Sequence, residues 1–134
     1  MAQPEAKFKT AMREAFEKLY ANQQFFNFAI VASMMQQPGV PDDYYAVGGR
    51  YVWVEAKADG GAFTPAQKIV IPQMAAAGLN VVILDADMKT VEEKRVISLS
   101  DFSGGVFRKD LLSFPWADMS TNFFWNTLFE KCKQ

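Results

Sequence analysis

A strand, a helix and a second strand that follow one another in the middle of the chain constrain its fold most strongly. Residues 43–57 alternate apolar and polar positions around the pair Gly48-Gly49, which predicts a β-hairpin. Residues 64–78 carry helix signals, and the apolar run VVIL at 81–84 predicts a buried strand. A helix between two strands of one sheet forms a right-handed crossover, which joins parallel strands. The chain is therefore predicted to form a mixed sheet with helices packed against it.

Signals at both ends mark the helix predicted at 64–78. Thr64 is a residue type that caps a first turn, and Pro65 suits the first helical position because its missing N–H needs no partner there. Gly78 suits the C-cap, where a left-handed conformation is common. Pro72 lies inside the same segment and is expected to kink or shorten the helix.

A second helix is predicted at residues 5–21 because its apolar residues share one face. At about 100° per residue, four side chains fall within an arc of about 80°. These are Phe8, Met12, Phe16 and Leu19. Glu5 lies at the centre of this face, whereas Glu14 lies about 180° away from it. Only Glu5 is therefore expected to face the sheet.

The remaining segments complete the prediction of one α/β domain over residues 1–134. Residues 25–35 are nearly continuously apolar, which predicts a strand buried on both faces, and residues 36–41 break it. Residues 91–99 predict a strand at the sheet edge, and a helix is predicted near residues 121–131. The expected fold class is a central mixed sheet of four to five strands flanked by helices.

Aromatic residues set the C-terminal segment 111–134 apart from an expected core at about residues 5–100. Six of the chain's 19 aromatic residues lie in it: Phe114, Trp116, Phe123, Phe124, Trp125 and Phe129. On a helix from residue 121, Phe123 falls outside the arc of about 140° that its neighbours span, so one packed face would not bury them all. Interface cores favour Trp and Phe, and two-fold pairs are the commonest assemblies. A homodimer joined partly through this segment is expected; the alternative is that the helix closes the domain's own core.

Composition limits the chemistry and the location of the chain. Its 134 residues contain no His, which excludes histidine triads and His-ligated zinc, and the single Cys132 is expected to be inert. Lys plus Arg number 14 against 15 Asp plus Glu, so no broad basic surface for coating DNA is expected. The charged N-terminal sequence lacks a signal segment, and no run approaches the about 18 apolar residues of a membrane span. A soluble, cytoplasmic protein with no membrane partner is therefore expected.

Three charged residues around the predicted hairpin form a candidate metal site. Asp42 precedes the first strand, and Glu55 and Lys57 lie two residues apart on one face of the second, so all three can converge. Mg²⁺ takes oxygen ligands from one or two carboxylates, for which Asp42, Glu55 and the Ala56 carbonyl are the candidates. Lys57 could orient or deprotonate the attacking water and neutralise a phosphate. The alternative is that Glu55 and Lys57 form a solvated strand face and Asp42 caps a turn.

The sequence contains a Pro-Asp pair that is followed, after twelve intervening residues, by a Glu-x-Lys triplet on an apolar strand. This pattern resembles the signature of the PD-(D/E)XK nuclease superfamily. The order of the segments is most similar to the VRR-NUC branch of that superfamily. These segments are Gly39-Val40-Pro41-Asp42, Glu55-Ala56-Lys57, Gly60-Gly61, Thr64-Pro65-Ala66-Gln67, Ala77-Gly78 and the strand VVIL. The resemblance covers roughly residues 5–85.

The resemblance implies a restriction-endonuclease-like fold and Mg²⁺-dependent cleavage of phosphodiester bonds in DNA, with Mn²⁺ able to substitute. It implies catalytic roles for Asp42, Glu55, Lys57 and Gln67. It also implies an additional acidic metal ligand on the first helix, for which Glu5 is the candidate. Both assignments have an alternative, because Gln67 suits a capping box with Thr64 and Glu5 suits the positive end of the helix dipole.

The small size of the chain and the lack of an appended recognition module favour action on DNA structure, such as a branch, flap or junction, over a specific sequence. The competing hypothesis is a nuclease-like module that binds DNA or protein without turnover. The presence of Asp42, Glu55 and Lys57 disfavours that hypothesis.

Overall fold

Six strands form one mixed sheet, and their order in space follows their order in the chain. The computed structural model describes residues 3–29, 38–103 and 105–130, and the number of strands refers to these ranges. The strands are β1 (Phe25–Ala29), β2 (Asp43–Val47), β3 (Arg50–Ala58), β4 (Val81–Ala86), β5 (Val96–Ser103) and β6 (Val106–Pro115). Only β3 and β4 run parallel among neighbouring strands. Residues 30–35 of the predicted first strand, residues 36 and 37 of the predicted break, and Cys132 lie outside the described ranges.

Helices pack on both faces of this sheet, which confirms the α/β class. The helices of the described ranges are α1 (Pro4–Leu19), α2 (Pro65–Ala76) and α3 (Asn122–Glu130). α1 and α3 share a core with Val52 and Val54 of β3, whereas α2 packs on the other face through Ile71 against Ile83 of β4. None of the described helices is long and apolar enough to cross a membrane.

The apolar face predicted for the first helix is confirmed. Phe8, Met12 and Phe16 of α1 are fully buried. Glu14 is exposed, while Glu5 is half-buried in the first turn. The side of α1 that carries Glu5 therefore faces the sheet.

α2 follows its predicted N-cap, Thr64, but Pro72 does not shorten it. The helix continues for four residues past Pro72, so the expectation that it is shortened there is wrong. Pro72 removes one backbone hydrogen bond, and the fully buried Ile71 beside it anchors the helix to the sheet. Gly78 lies one residue beyond the C-cap Ala77 and adopts a left-handed φ of 96°.

The sheet has more strands than predicted, because β6 follows the strand that was expected at the edge. That predicted strand, 91–99, begins later, at Val96, and lies inside the sheet as β5. The sequence of β6, VFRKDLLSFP, places charges mid-strand, and its Asp110 has a φ of 51°. Its register with β5 also shifts between Leu99 and Asp101. Charges and irregularities of this kind are typical of edge strands, and they obscure the two-residue period.

The C-terminal aromatic segment is part of the core and not an extension to it. Four apolar residues of α3 are fully buried in the single chain: Phe124, Trp125, Leu128 and Phe129. The indole Nε1 of Trp125 donates to the Met119 carbonyl at 2.8 Å, and its ring lies 4.8 Å from those of Phe16 and Tyr45. Phe123, the residue predicted to fall outside the packed arc, is 65% exposed. Of the six aromatic residues that motivated the homodimer prediction, Phe114, Phe124, Trp125 and Phe129 are thus buried within one chain, and the homodimer stays a prediction.

We expect Trp125→Ala to lower the free energy of unfolding by about 3–5 kcal/mol, because it leaves a cavity where α1, β2 and α3 meet. Phe123→Ala removes an exposed ring of the same helix and should change that free energy by about 0.5 kcal/mol or less. Urea unfolding followed by circular dichroism measures both. Equal effects of the two substitutions would contradict the placement of α3 in the core.

Candidate active site

The end of the β2–β3 hairpin brings the first two predicted site residues together. The antiparallel register of the hairpin ends with the pair Asp43 and Val54, so Asp42 directly precedes this pair on one strand and Glu55 directly follows it on the other. The charge of Asp42 acts on the Glu55 carboxyl group, so the two side chains lie near each other. β3 runs on to Ala58 beyond the end of β2 and pairs there with β4. Asp42, Glu55 and the backbone of this part of β3 therefore share one end of the hairpin.

The Glu55 carboxylate is buried and incompletely paired. Its side chain is 1% exposed, and Oε2 lies 3.2 Å from Lys57 Nζ. Oε1 has no hydrogen-bond partner among the described residues. Burial, together with the negative charge of Asp42 and against the lowering effect of Lys57, raises the pKa of Glu55 to about 7. Because Glu55 and Lys57 are both buried, the alternative of a solvated strand face is wrong.

Gln67 joins α2 to the Lys57 side chain. Lys57 Nζ donates to Gln67 Oε1 at 3.1 Å and lies 5.5 Å from the centroid of the Phe63 ring. The same oxygen accepts from the Thr64 N–H at 2.9 Å, and the Gln67 N–H donates to Thr64 Oγ1 at 3.1 Å. The predicted capping box is therefore confirmed. Its Gln67 oxygen contacts the Lys57 ammonium as well, so capping and a position in the site do not exclude each other.

Lys9 of α1 contacts the site and was not predicted. Its Nζ donates to Asp42 Oδ2 at 2.6 Å. Burial alone would lower the pKa of Lys9, but the hydrogen bond and the charge of Asp42 raise it overall. The sequence does contain a signal for this contact, because Lys9 lies four residues after Glu5 and so on the same helix face.

Asp43 supplies a second buried carboxyl group. The sequence indicated no essential role for it. It begins β2 and, with Tyr45 and Val47, points to the buried face of the strand. Its Oδ2 has no hydrogen-bond partner among the described residues. Burial raises the pKa of Asp43 to about 6, against the lowering effect of Lys9. Asp43 and Glu55 therefore lie on opposite faces of the hairpin, because Asp43 pairs with Val54 and adjacent residues of a strand alternate.

Glu5 lies near these groups but does not complete a cluster of three carboxylates with them. Its charge acts on Lys9 and Asp43. Within residues 3–29, 38–103 and 105–130, no group of three His, Cys, Asp or Glu side chains is arranged to hold a metal ion. The two carboxylates of the hairpin, Asp42 and Glu55, are the other candidate donors, and the assignment of Glu5 as an additional ligand stays a prediction.

These donors fit a small, hard cation. Glu55 has a buried oxygen without a partner, Asp42 supplies a second carboxylate, and Ala56 lies on the part of β3 that extends past β2. Mg²⁺ is commonly bound through one or two carboxylates and retains water molecules, so it does not need a third acidic side chain. A cation here would also reduce the repulsion between Asp42 and Glu55 that the raised pKa of Glu55 reflects.

Comparison with known proteins adds no relative: no family model, curated protein or solved structure matches this chain.

We expect metal-free Glu55→Gln protein to be more stable than the parent at pH 8, and this advantage to disappear as the pH falls to about 4. The pKa of Glu55 is raised from 4.5 to about 7 in the folded chain. The folded state thus binds the proton more tightly than the unfolded state, and Glu55 lowers stability as the pH rises through this range. The shift corresponds to a difference on the order of 3 kcal/mol above pH 7. Urea unfolding in EDTA at several pH values measures it.

Glu14→Gln is the matched control, since it removes an exposed carboxylate from the same chain. Its free energy of unfolding should follow that of the parent across the pH range. If Glu55→Gln also followed the parent, the Glu55 carboxyl would not be buried at an energetic cost.

Proposed function

We propose that this chain is a metal-dependent endonuclease that hydrolyses phosphodiester bonds in DNA, of the PD-(D/E)XK type and similar to the VRR-NUC branch. One observation carries the proposal. Asp42 lies at the end of the hairpin that carries Glu55, and the buried Lys57 Nζ lies 3.2 Å from Glu55 Oε2 and 3.1 Å from Gln67 Oε1. Three residue types that phosphodiester hydrolysis uses thus meet at one end of a sheet.

The architecture is compatible with the restriction-endonuclease-like fold that the resemblance implies. The Pro-Asp pair precedes β2, the Glu-x-Lys triplet lies on β3, and α2 connects β3 to the parallel β4. The Pro-Asp pair and the Glu-x-Lys triplet therefore lie at one end of the β2–β3 hairpin. The VRR-NUC resemblance supports the proposal further, because Pro65 and Gln67 match its helix-opening motif.

The roles of the residues follow from their contacts. Asp42, Glu55 and the Ala56 carbonyl would hold Mg²⁺ or Mn²⁺. When bound, such a cation lowers the pKa of water and stabilises negative charge on a phosphate. An ammonium has three donors, and Lys57 uses two of them on Glu55 and Gln67. Its third donor is suited to a phosphate oxygen or to the attacking water. Gln67 is a positioning residue, because it acts on Lys57.

All site residues come from one chain, so the proposed reaction does not require a homodimer. The expected preference for DNA structure over sequence agrees with the composition, because a chain with a net charge of -1 has little positive charge for following a long duplex. A branch, flap or junction presents a local feature that a small surface can recognise.

We expect Asp42→Asn, Glu55→Gln and Lys57→Ala each to lower DNA cleavage by about 100-fold or more. The first two remove carboxylate ligands, so Mn²⁺ binding measured by calorimetry should be lost. Lys57→Ala leaves both carboxylates and should retain Mn²⁺ binding. Cleavage is assayed on single-stranded, duplex, flap and four-way DNA with Mg²⁺, Mn²⁺ or EDTA.

Glu14→Gln and Lys68→Ala change exposed residues of α1 and α2, and both should cut like the parent. Equal Mn²⁺ binding by the parent and the three site variants would contradict the assignment of Asp42 and Glu55 as metal ligands. If the folded parent cut none of the substrates with either metal, the chain would be a binding module without turnover.

Gln67→Ala and Thr64→Ala separate the cap from the active site. Each removes a side chain of the capping box and should cost about 1 kcal/mol of stability. Only Gln67→Ala also removes an acceptor from Lys57, so we expect it to lower kcat about tenfold while Thr64→Ala leaves kcat near that of the parent. Parallel measurement of urea unfolding and cleavage tests this, and equal loss of kcat in both variants would show that Gln67 serves only the helix.

A further inference from the structure

Five aromatic rings lie together on the sheet surface beside the candidate site. We call this cluster the aromatic platform, and it consists of Phe26, Phe28, Tyr44, Tyr51 and Trp53. Phe28 pairs with Tyr44 and Tyr44 pairs with Trp53, so residues of β1, β2 and β3 point to one face. Opposed residues of neighbouring strands share a face of the sheet. The platform is therefore a surface built by three strands.

The rings of the platform contact one another, and the two rings of β1 are exposed to solvent, whereas those of Tyr44, Tyr51 and Trp53 are half-buried. The Phe28 and Tyr44 rings stack with centroids 5.3 Å apart, and the Tyr44 and Tyr51 rings stack at 6.0 Å. Phe26 is 59% exposed and Phe28 is 38% exposed. α2 packs on the same face but over β4 and β5. The rings nearest the β1 edge thus present apolar surface to solvent.

The platform is continuous with the residues proposed to cut DNA. Tyr51, Trp53, Glu55 and Lys57 are alternate residues of β3 and point the same way. Neighbours in this row are about 6–7 Å apart along the strand. Trp53 is therefore one such step from Glu55. This spacing is similar to the distance between the base and the phosphate of one nucleotide.

The chemistry of the platform matches unpaired bases. Base faces stack on aromatic side chains regardless of sequence, whereas a duplex covers these faces. A cavity of about 440 Å³ beside the rings is lined by Phe26, Tyr44, Tyr51 and Arg50, among others. The Arg50 guanidinium is directed to the other face of the sheet, where it donates to Asn126 Oδ1 at 2.7 Å and lies over the Phe129 ring of α3. The chain has a net charge of -1, so stacking would supply the affinity that a basic surface supplies in other DNA-binding proteins.

We propose that the aromatic platform binds unpaired DNA bases next to the cleavage site. The inference rests on the proposed nuclease function and specifies its substrate: DNA with a single-stranded segment, such as a flap or a splayed end. The bases of that segment stack on the rings of β1 to β3, and the backbone that follows them passes Glu55 and Lys57. A blunt duplex has no bases free to stack.

The test measures binding in EDTA, so that it does not depend on cleavage. The probes are a fluorescein-labelled single-stranded oligonucleotide and a blunt duplex of the same sequence, followed by anisotropy. We expect the parent to bind the single strand more tightly, and Phe26→Ala/Phe28→Ala to weaken that binding about tenfold or more. Phe26→Leu/Phe28→Leu keeps apolar bulk without rings and should weaken it similarly. Phe123→Ala removes an exposed ring from α3 and should bind like the parent.

Cleavage of a flap substrate with Mg²⁺ separates this inference from the proposed function. Higher KM with a kcat near that of the parent in the Phe26/Phe28 variants supports the platform. Single-strand binding that depends on the two rings, without cleavage by the parent, would retain the platform and overturn the nuclease proposal. Cleavage by the parent with unchanged binding in the ring variants would overturn the platform alone.

Two further outcomes would also overturn the platform. One is a parent that binds no single-stranded oligonucleotide. The other is a parent that self-associates in light scattering, with Phe26→Ala/Phe28→Ala making it monomeric while single-strand binding is unchanged. That result would make the rings an interface between copies of the chain.

Discussion

The buried ion pair of Glu55 and Lys57 is the interaction on which the arrangement of the site depends. Placing two opposite charges inside a sheet carries a desolvation cost that their attraction does not reliably offset. The raised pKa of Glu55 is consistent with this balance, because burial acts more strongly on that carboxyl group than Lys57 does. The pair is therefore unlike the apolar residues around it, which stabilise the fold. We interpret it as a feature that serves chemistry.

β3 makes this arrangement possible because it has two different faces. Val52, Val54 and Ala56 point into the core shared with α1 and α3 and are fully buried there. The large aromatic cluster of that core stabilises β3 on this face. The opposite face is then free to carry Trp53, Glu55 and Lys57 in one row. Gln67 completes the row from α2, so the start of a helix and the proposed chemistry share one side chain.

Local signals explain which parts of the fold could be predicted. The Gly48-Gly49 turn predicts the hairpin, and Thr64 with Gln67 predicts the start of α2, because these patterns act over a few residues. β6 could not be recognised in the same way, since its charges and the positive φ of Asp110 hide the period of a strand. Pro72 was expected to shorten α2, but burial of the adjacent Ile71 against the sheet outweighs that local preference.

The sequence by itself determined the hairpin, the first two helices and the residue types of the candidate site, because hairpin, cap and helix periodicity are properties of neighbouring residues. Asp42, Glu55 and Lys57 were identified from the predicted hairpin, and Gln67 from the resemblance and its capping pattern. Only the tertiary structure decided that Lys9 contacts Asp42, that the Asp43 carboxyl group is buried, and that Trp125 belongs to the core. These facts depend on how α1 and α3 pack against the hairpin. Packing joins residues that are distant in the chain, and no local pattern specifies such contacts.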